Sequence, residues 1–358
     1  MEFSNEHFLK LKNKKKIAMK NAGFFYALSS EFAERNKQIS DSFYRRAERI
    51  LNCLSYWEWD KYEINKVLKL RKVSRCKDIF CPNCRSVNVH KAIINFAPAF
   101  NRMMAYRYNP YFMTLTVPNI KRECLDKEID KMNRAFIRLW RWLYKQFSKN
   151  GEYYGGYKER LFDAKGAIKV LEVTLQKSDW NYFNLHFHVI VFLENDFEGH
   201  FFKTIDGGYQ YKSKRYIYYS DADIFIQKLW TMAYKGKDIS FFFEASGDWQ
   251  DNYICDIREL SMPKGIYEVF KYCFKDLDIR NQEIFRDLYF GLKRKRLRQG
   301  YGELYNVKVD DRDIRSDDCI ENYLEFKDEE PEVMANKYIE DMTKKYKDYK
   351  KISIYSFK

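Results

Sequence analysis

Leu185-His186-Phe187-His188-Val189-Ile190-Val191-Phe192 is an apolar run broken only by two histidines, and no other segment limits the possible folds as tightly. Aromatic and β-branched residues at this density predict a buried strand. Alternate strand residues share a face, so His186 and His188 fall one pleat apart, where two imidazoles can share one ion. Upstream, Ala167 to Leu175 predicts a second strand, and it carries one carboxylate, Glu172, among Ile168, Val170, Leu171 and Val173. In an antiparallel hairpin centred on Asp179, Glu172 and His186 are equidistant from the turn and face each other. Glu172, His186 and His188 then converge as ligands of a divalent metal whose open positions can take a substrate oxygen. A lone histidine would favour the competing reading, a satisfied core residue. A same-face pair opposite a buried carboxylate favours metal.

The remainder supplies an α+β setting. Tyr111-Phe112-Met113-Thr114-Leu115-Thr116-Val117, closed by Pro118-Asn119, predicts a further strand. Residues 125–148 place Ile129, Met132, Phe136, Trp140, Leu143 and Phe147 at helical spacing, the pattern of an amphipathic helix packed on a sheet. A Gly207-Gly208 turn in a hairpin-like insertion follows, then a helix around Ile224 to Ala233, a strand at Ile239 to Phe243 and a helix after Pro263. The first fifty residues are lysine-rich and helix-compatible. Their densest point, Lys14-Lys15-Lys16, reads as a solvated face. From about residue 308, Asp310, Asp311, Asp313, Asp317, Asp318, Asp328, Glu329, Glu330 and Glu332 predict an acidic, loosely ordered tail.

Net charge narrows the partners. The chain carries 65 Lys and Arg against 51 Asp and Glu, and a balance of +14 points to a polyanion, either nucleic acid or an anionic membrane surface. No apolar run is long enough to span a bilayer and no secretory pattern opens the sequence, so the expected location is the cytoplasm. Cysteines there stay reduced, and a cluster of them signals metal or catalysis. Cys76-x4-Cys81-Pro82-Asn83-Cys84 contains a CPxC knuckle, the tight turn that lets two thiolates hold one structural zinc, with Cys76 just upstream. Cys53 is the natural fourth ligand, and His90 is the alternative. A thioredoxin-like redox pair would need a βαβ context that is missing here.

Ile266-Tyr267-Glu268-Val269-Phe270-Lys271-Tyr272-Cys273-Phe274-Lys275 has helical period on two sides. Ile266, Val269, Phe270 and Cys273 form an apolar stripe, whereas Glu268, Lys271, Tyr272 and Lys275 share the opposite face. Flanking lysines favour a phenolate and neutralise a phosphate, so Tyr272 is a candidate nucleophile toward a phosphodiester. Glu268, one turn earlier, is a candidate general base. An ordinary surface helix with an exposed tyrosine is the plain alternative. The basic run Lys293, Arg294, Lys295, Arg296 and Arg298 is a candidate phosphate-binding segment.

Taken in order, these motifs resemble the plasmid rolling-circle replication initiators of the HUH endonuclease superfamily, in the single-tyrosine group of small Gram-positive plasmids. The resemblance runs over roughly residues 50–305. It comprises the CPNC knuckle, Phe112 to Asn119, Leu171-Glu172-Val173-Thr174, His186-Phe187-His188, Glu268 to Asp276, and Leu292 to Arg296 leading to Tyr301-Gly302. It implies an α+β fold in which an antiparallel central sheet is flanked by helices, with an N-terminal zinc-binding element. The expected divisions are a basic helical segment at 1–50, the zinc element at 51–95, an HUH endonuclease domain at 96–307 and the acidic tail at 308–358. The resemblance further implies that Tyr272 takes a 5′-phosphate as a phosphotyrosyl intermediate and releases a 3′-hydroxyl primer. Glu268 would support hydrolytic termination, and Lys271 and Lys275 match the family's motif lysines. Mn or Mg would serve as the catalytic metal. Origin DNA, as a single-stranded or hairpin nick site plus a duplex site, would be the partner, with host helicase and replication machinery, no membrane and a possible homo-oligomer. An HUH transposase or relaxase ranks lower, because relaxases usually carry a longer chain and a third histidine where this chain has Glu172. A non-catalytic zinc-ribbon DNA-binding repressor would leave Glu172, His186 and His188 without a role.

Overall fold

A computed structural model describes residues 5–62, 67–144, 148–149, 152–153, 164–194, 209–211, 215–217, 221–237, 253–260, 277, 279–307, 323–325 and 352–357. The chain divides into two compact units, one of residues 1–92 with 309–358 and one of residues 93–308. In order, the first unit contributes α1 (Asn5–Phe32), α2 (Lys37–Leu51), β1 (Trp57–Tyr62), β2 (Val67–Val73) and the start of α3 (Pro82–Ala105). The second holds β3 (Asn109–Thr116), β4 (Ile120–Lys121), α4 (Leu125–Leu143), β5 (Ser148–Lys149), β6 (Glu152–Tyr153), β7 (Ala164–Leu175) and β8 (Tyr182–Leu193). It continues with β9 (Tyr209–Tyr211), β10 (Arg215–Ile217), α5 (Asp221–Lys235), β11 (Cys255–Glu259), α6 (Gln282–Leu292) and β12 (Arg298–Gly302). β13 (Tyr323–Glu325) and β14 (Ile352–Phe357) return to the first unit.

The second unit is built on a six-stranded antiparallel sheet in the order β11-β3-β8-β7-β12, with β4 also paired to β8. Its long central strands follow from their composition, since β7 and β8 are buried along most of their length. One face packs on helices. Ile129, Met132, Phe136, Leu139 and Leu143 form a buried stripe on α4, and each such side chain contributes roughly 1.5–3 kcal/mol by leaving water. Phe136 meets Phe187 edge-on at 5.8 Å, and Trp230 of α5 meets the same ring at 6.2 Å. The opposite face is covered at one end by α3, where Phe100 lies 5.5 Å from Phe192. His186 and His188 lie on this second face.

In the first unit, α1 buries Ala18, Ala22, Phe25 and Leu28, and α2 buries Phe43, Ala47 and Ile50. Asn36 caps α2 by accepting from the Ile39 N–H at 3.1 Å. A four-stranded sheet runs β13-β2-β1-β14, with β14 parallel to β1. Two pieces of the expected acidic tail are therefore strands.

Two expectations are corrected. The helix beginning at residue 125 ends at Leu143, because Tyr144 leaves the helical region with φ −104° and ψ 88°. Lys15 does not belong to a solvated face, since it is buried to 1% exposure. The strand expected from Ala167 to Leu175 is β7, which begins three residues earlier at Ala164. The Gly207-Gly208 turn, the Ile239 to Phe243 strand and the helix after Pro263 lie outside the described residues. Among the described residues, no helix is long and apolar enough to cross a membrane.

Candidate active site and metal centre

β7 and β8 pair in the register that the sequence spacing predicts, with Glu172 opposite His186 and Val170 opposite His188. Cross-strand partners share a face, so Glu172, His186 and His188 lie together on one side of the sheet. The carboxylate leans along the strand to His188, where Nε2 and Oε2 stand 2.7 Å apart with both side chains buried. Phe112 stacks on the His188 ring at 5.7 Å and 18°, fixing its plane. The His186 ring centroid is 6.2 Å from that of His188.

The donor set of two imidazoles and one carboxylate suits a divalent ion. Ligand atoms cis to each other on an ion with bonds of about 2.1 Å stand about 3.0 Å apart, close to the observed Glu172–His188 separation. Among the described residues only the four cysteines bring three or more ligand atoms within 4.8 Å of one another. At least one His186 separation therefore exceeds that reach, and closure on a single ion needs a rotation of its side chain.

The same face carries groups that the sequence reading missed. Asp256 on β11 pairs with Thr114 on β3, which pairs with His188, so a carboxylate, a hydroxyl and an imidazole form one row across three strands. Desolvation raises the Asp256 carboxyl above its ordinary range, and the Thr114 side-chain hydrogen bond, followed by Arg258 and His188, opposes that rise. Arg298 extends the row at the far edge, opposite Val170. Asp256 escaped notice because β11 is short and joins β3 from well over a hundred residues downstream. Within the basic run, Lys293, Arg294, Arg296 and Arg298 are exposed. Lys295 instead pairs with Asp126 at 2.5 Å and Asp130 at 2.7 Å on α4. Glu268, Lys271, Tyr272 and Lys275 lie outside the described residues.

The cysteine cluster is closed. Cys53 Sγ stands 3.4 Å from Cys84 and 3.6 Å from Cys81, and Cys76 stands 3.5 Å from Cys84. These separations are far too long for a disulfide and near the roughly 3.8 Å expected between thiolates bound tetrahedrally at about 2.3 Å, so the four residues fit one metal ion. Cys53, not His90, completes the set in this geometry; the His90 side chain lies outside the described ones. The neighbouring sulfurs, Cys53 first, and the Lys77 N–H at 3.2 Å from Cys84 Sγ hold Cys84 below the ordinary thiol range. The same contest raises Cys76. A bound cation removes that asymmetry by taking all four as thiolates.

The loop of the knuckle is tied to both helices. Asn21 Nδ2 donates to the Phe80 carbonyl at 2.8 Å, and Arg46 forms an ion pair with Asp78, whose Oδ1 accepts from the Phe80 N–H at 2.9 Å. Lys15 Nζ donates to the carbonyls of Leu51 at 2.6 Å and Cys53 at 2.7 Å. Burial pushes its pKa down to about 8, while the four cysteines oppose the fall. A sequence signal for this residue existed: Lys15 continues the buried stripe of Ala18, Ala22 and Phe25 at spacings of three or four.

Comparison with known proteins places the chain in a family. The chain is 25% identical over 270 residues to a Protein rep of Bacillus sp, covering 73% of this chain and 76% of that one. It is 26% identical over 265 residues to Protein rep of Bacillus amyloliquefaciens, covering 70% of this chain and 67% of that one. A Protein rep of Staphylococcus aureus is 27% identical over 169 residues, 45% of this chain and 66% of that one. No solved structure matches. A family described as replication protein matches residues 67–350, and the chain belongs to that family.

Proposed function

We propose that this replication protein is a plasmid rolling-circle initiator that nicks one strand of its origin. The observation that supports the reading best is the Glu172–His186–His188 register on a polar sheet face, with Glu172 2.7 Å from His188. A divalent ion held there, Mn or Mg, would supply Lewis-acid polarisation of the scissile phosphate. Tyr272 is the nucleophile: its phenolate oxygen bonds to phosphorus, the bond from phosphorus to the 3′ oxygen breaks, the departing oxygen takes a proton from water, and the resulting 3′-hydroxyl primes synthesis. Lys271 and Lys275 favour the phenolate and neutralise the phosphate, and Glu268 activates the water that later resolves the link. Cys53, Cys76, Cys81 and Cys84 hold a structural zinc. Exposed Lys293, Arg294, Arg296 and Arg298 contact the DNA backbone, and a host helicase opens the duplex beyond the nick.

The decisive experiment incubates the full chain with Mn and a single-stranded oligonucleotide spanning the origin nick site. A detergent-stable protein–DNA adduct is expected, and it should disappear in Tyr272→Phe and on chelation while the melting temperature of the variant stays unchanged. An adduct that persists in Tyr272→Phe sinks the assignment. Sequence-specific binding without any metal-dependent cleavage would favour the repressor reading instead.

A further inference from the structure

We propose that Lys15 is the counter-charge and clamp of the four-cysteine centre, which makes α1 a working part of that metal site. The inference rests on the reading of Cys53, Cys76, Cys81 and Cys84 as ligands of one divalent, thiophilic ion.

Four thiolates around a divalent cation leave a centre of net charge −2, and in a poorly solvated site that charge needs a cation nearby. Lys15 is such a cation, buried to 1% exposure and within electrostatic reach of all four sulfurs. Moving an ammonium out of water costs several kcal/mol, so it is kept where an opposite charge offsets that cost. Two backbone carbonyls that it binds sharpen the role. The carbonyls of Leu51 and Cys53 lie at the C-terminal end of α2, and holding them sets the backbone from which Cys53 Sγ projects.

The other half of the ligand set is held from the same helix. Asn21 binds the Phe80 carbonyl beside Cys81, and Lys14 Nζ donates to Ser86 Oγ at 2.8 Å, two residues beyond Cys84. α1 therefore grips both sides of the ligand set, Cys53 through Lys15 and the knuckle through Lys14 and Asn21. If Lys15 merely capped α2, its loss would weaken the folded protein equally with and without metal. A counter-charge is felt chiefly in the loaded form, because the thiolates' excess charge is fixed there.

The test uses the full-length protein, with cobalt(II) as the probe and a competing chelator to set affinity. Wild type should bind one equivalent at the centre, with the intense absorption of thiolate-to-cobalt charge transfer. Lys15→Met should lose about tenfold to hundredfold in affinity, the scale seen when a supporting contact of a metal site is removed. Lys16→Met removes the same charge from an exposed position of α1 and should stay within twofold of wild type. If Lys15→Met fails to fold, Lys15→Gln, which is neutral but keeps a donor, carries the comparison. Affinities of both neutral Lys15 variants within twofold of wild type would overturn the proposal. A wild type that shows no thiolate-to-cobalt absorption would instead overturn the four-cysteine reading on which it rests.

Discussion

Lys169 sits on β7, three residues before Glu172 but on the opposite face, and it is buried to 1% exposure. Its Nζ donates to Asn133 Oδ1 at 2.5 Å and lies 4.3 Å from the Phe187 ring centroid, 4.9 Å from Phe136 and 5.6 Å from Tyr301. The ring faces favour the ammonium, yet desolvation pushes its pKa down to about 7. Between pH 7 and the ordinary lysine value of about 10.4, the unfolded chain binds more protons at this site than the folded one. Stability from this residue therefore rises with pH across that window, by at most about 1.4 kcal/mol per unit, and is lowest below it. Lys169→Met should be more stable than wild type at pH 7, by roughly 1–3 kcal/mol, and the gap should narrow toward pH 10. Denaturant unfolding of both proteins at pH 7 and pH 9.5 checks this. A less stable variant at pH 7 would mean that the aromatic cage outweighs desolvation.

β7 and β8 show how far element-scale structure was legible. A short polar turn between two apolar runs fixes the register from local spacing alone, which is why Glu172 could be set opposite His186 from sequence. Partners that arrive from far along the chain left weaker signals, as with β11 and its Asp256, because five residues carry too little periodicity to announce a strand. Lys15 was hidden for another reason: three consecutive lysines look solvated unless the stripe they interrupt is traced. β12 is a further edge pairing whose logic becomes clear only in three dimensions. Gly302 has φ +58°, and a Cβ there would lie 2.2 Å from the Lys165 carbonyl oxygen. The neighbouring Tyr301 packs on Phe136 at 4.9 Å and Trp140 at 5.6 Å. Gly302→Ala meets both an unfavourable backbone conformation and a backbone clash, and should cost roughly 2–4 kcal/mol. Amide exchange should then rise first in β12 and the facing half of β7, ahead of β3. A variant within 0.5 kcal/mol of wild type would show that the strand end yields without penalty.

At the scale of the whole chain, charge and metal chemistry are both unevenly distributed. Residues 309–358 hold fourteen acidic and ten basic residues, so the first 308 carry a net +18 that is available to a polyanion. The two candidate metal sites lie in different units and differ in donor type. Glu172, His186 and His188 would offer an ion oxygen and nitrogen and leave positions open, whereas the four cysteines would surround an ion completely. An open site exchanges its ion with a chelator in solution, but a closed thiolate site yields only when its sulfurs are protonated or blocked. Brief treatment with EDTA should therefore abolish strand cleavage and leave the melting profile and the sulfur-bound metal content unchanged. A thiol-specific mercurial should release one further metal ion, and proteolysis should then begin in α1 and α2 while the sheet of residues 93–308 stays protected. Metal analysis, cleavage and limited proteolysis on the same samples separate the two events. Loss of cleavage and unfolding of the first unit at the same low chelator concentration would refute the division of labour, because a single exchangeable ion would then serve both.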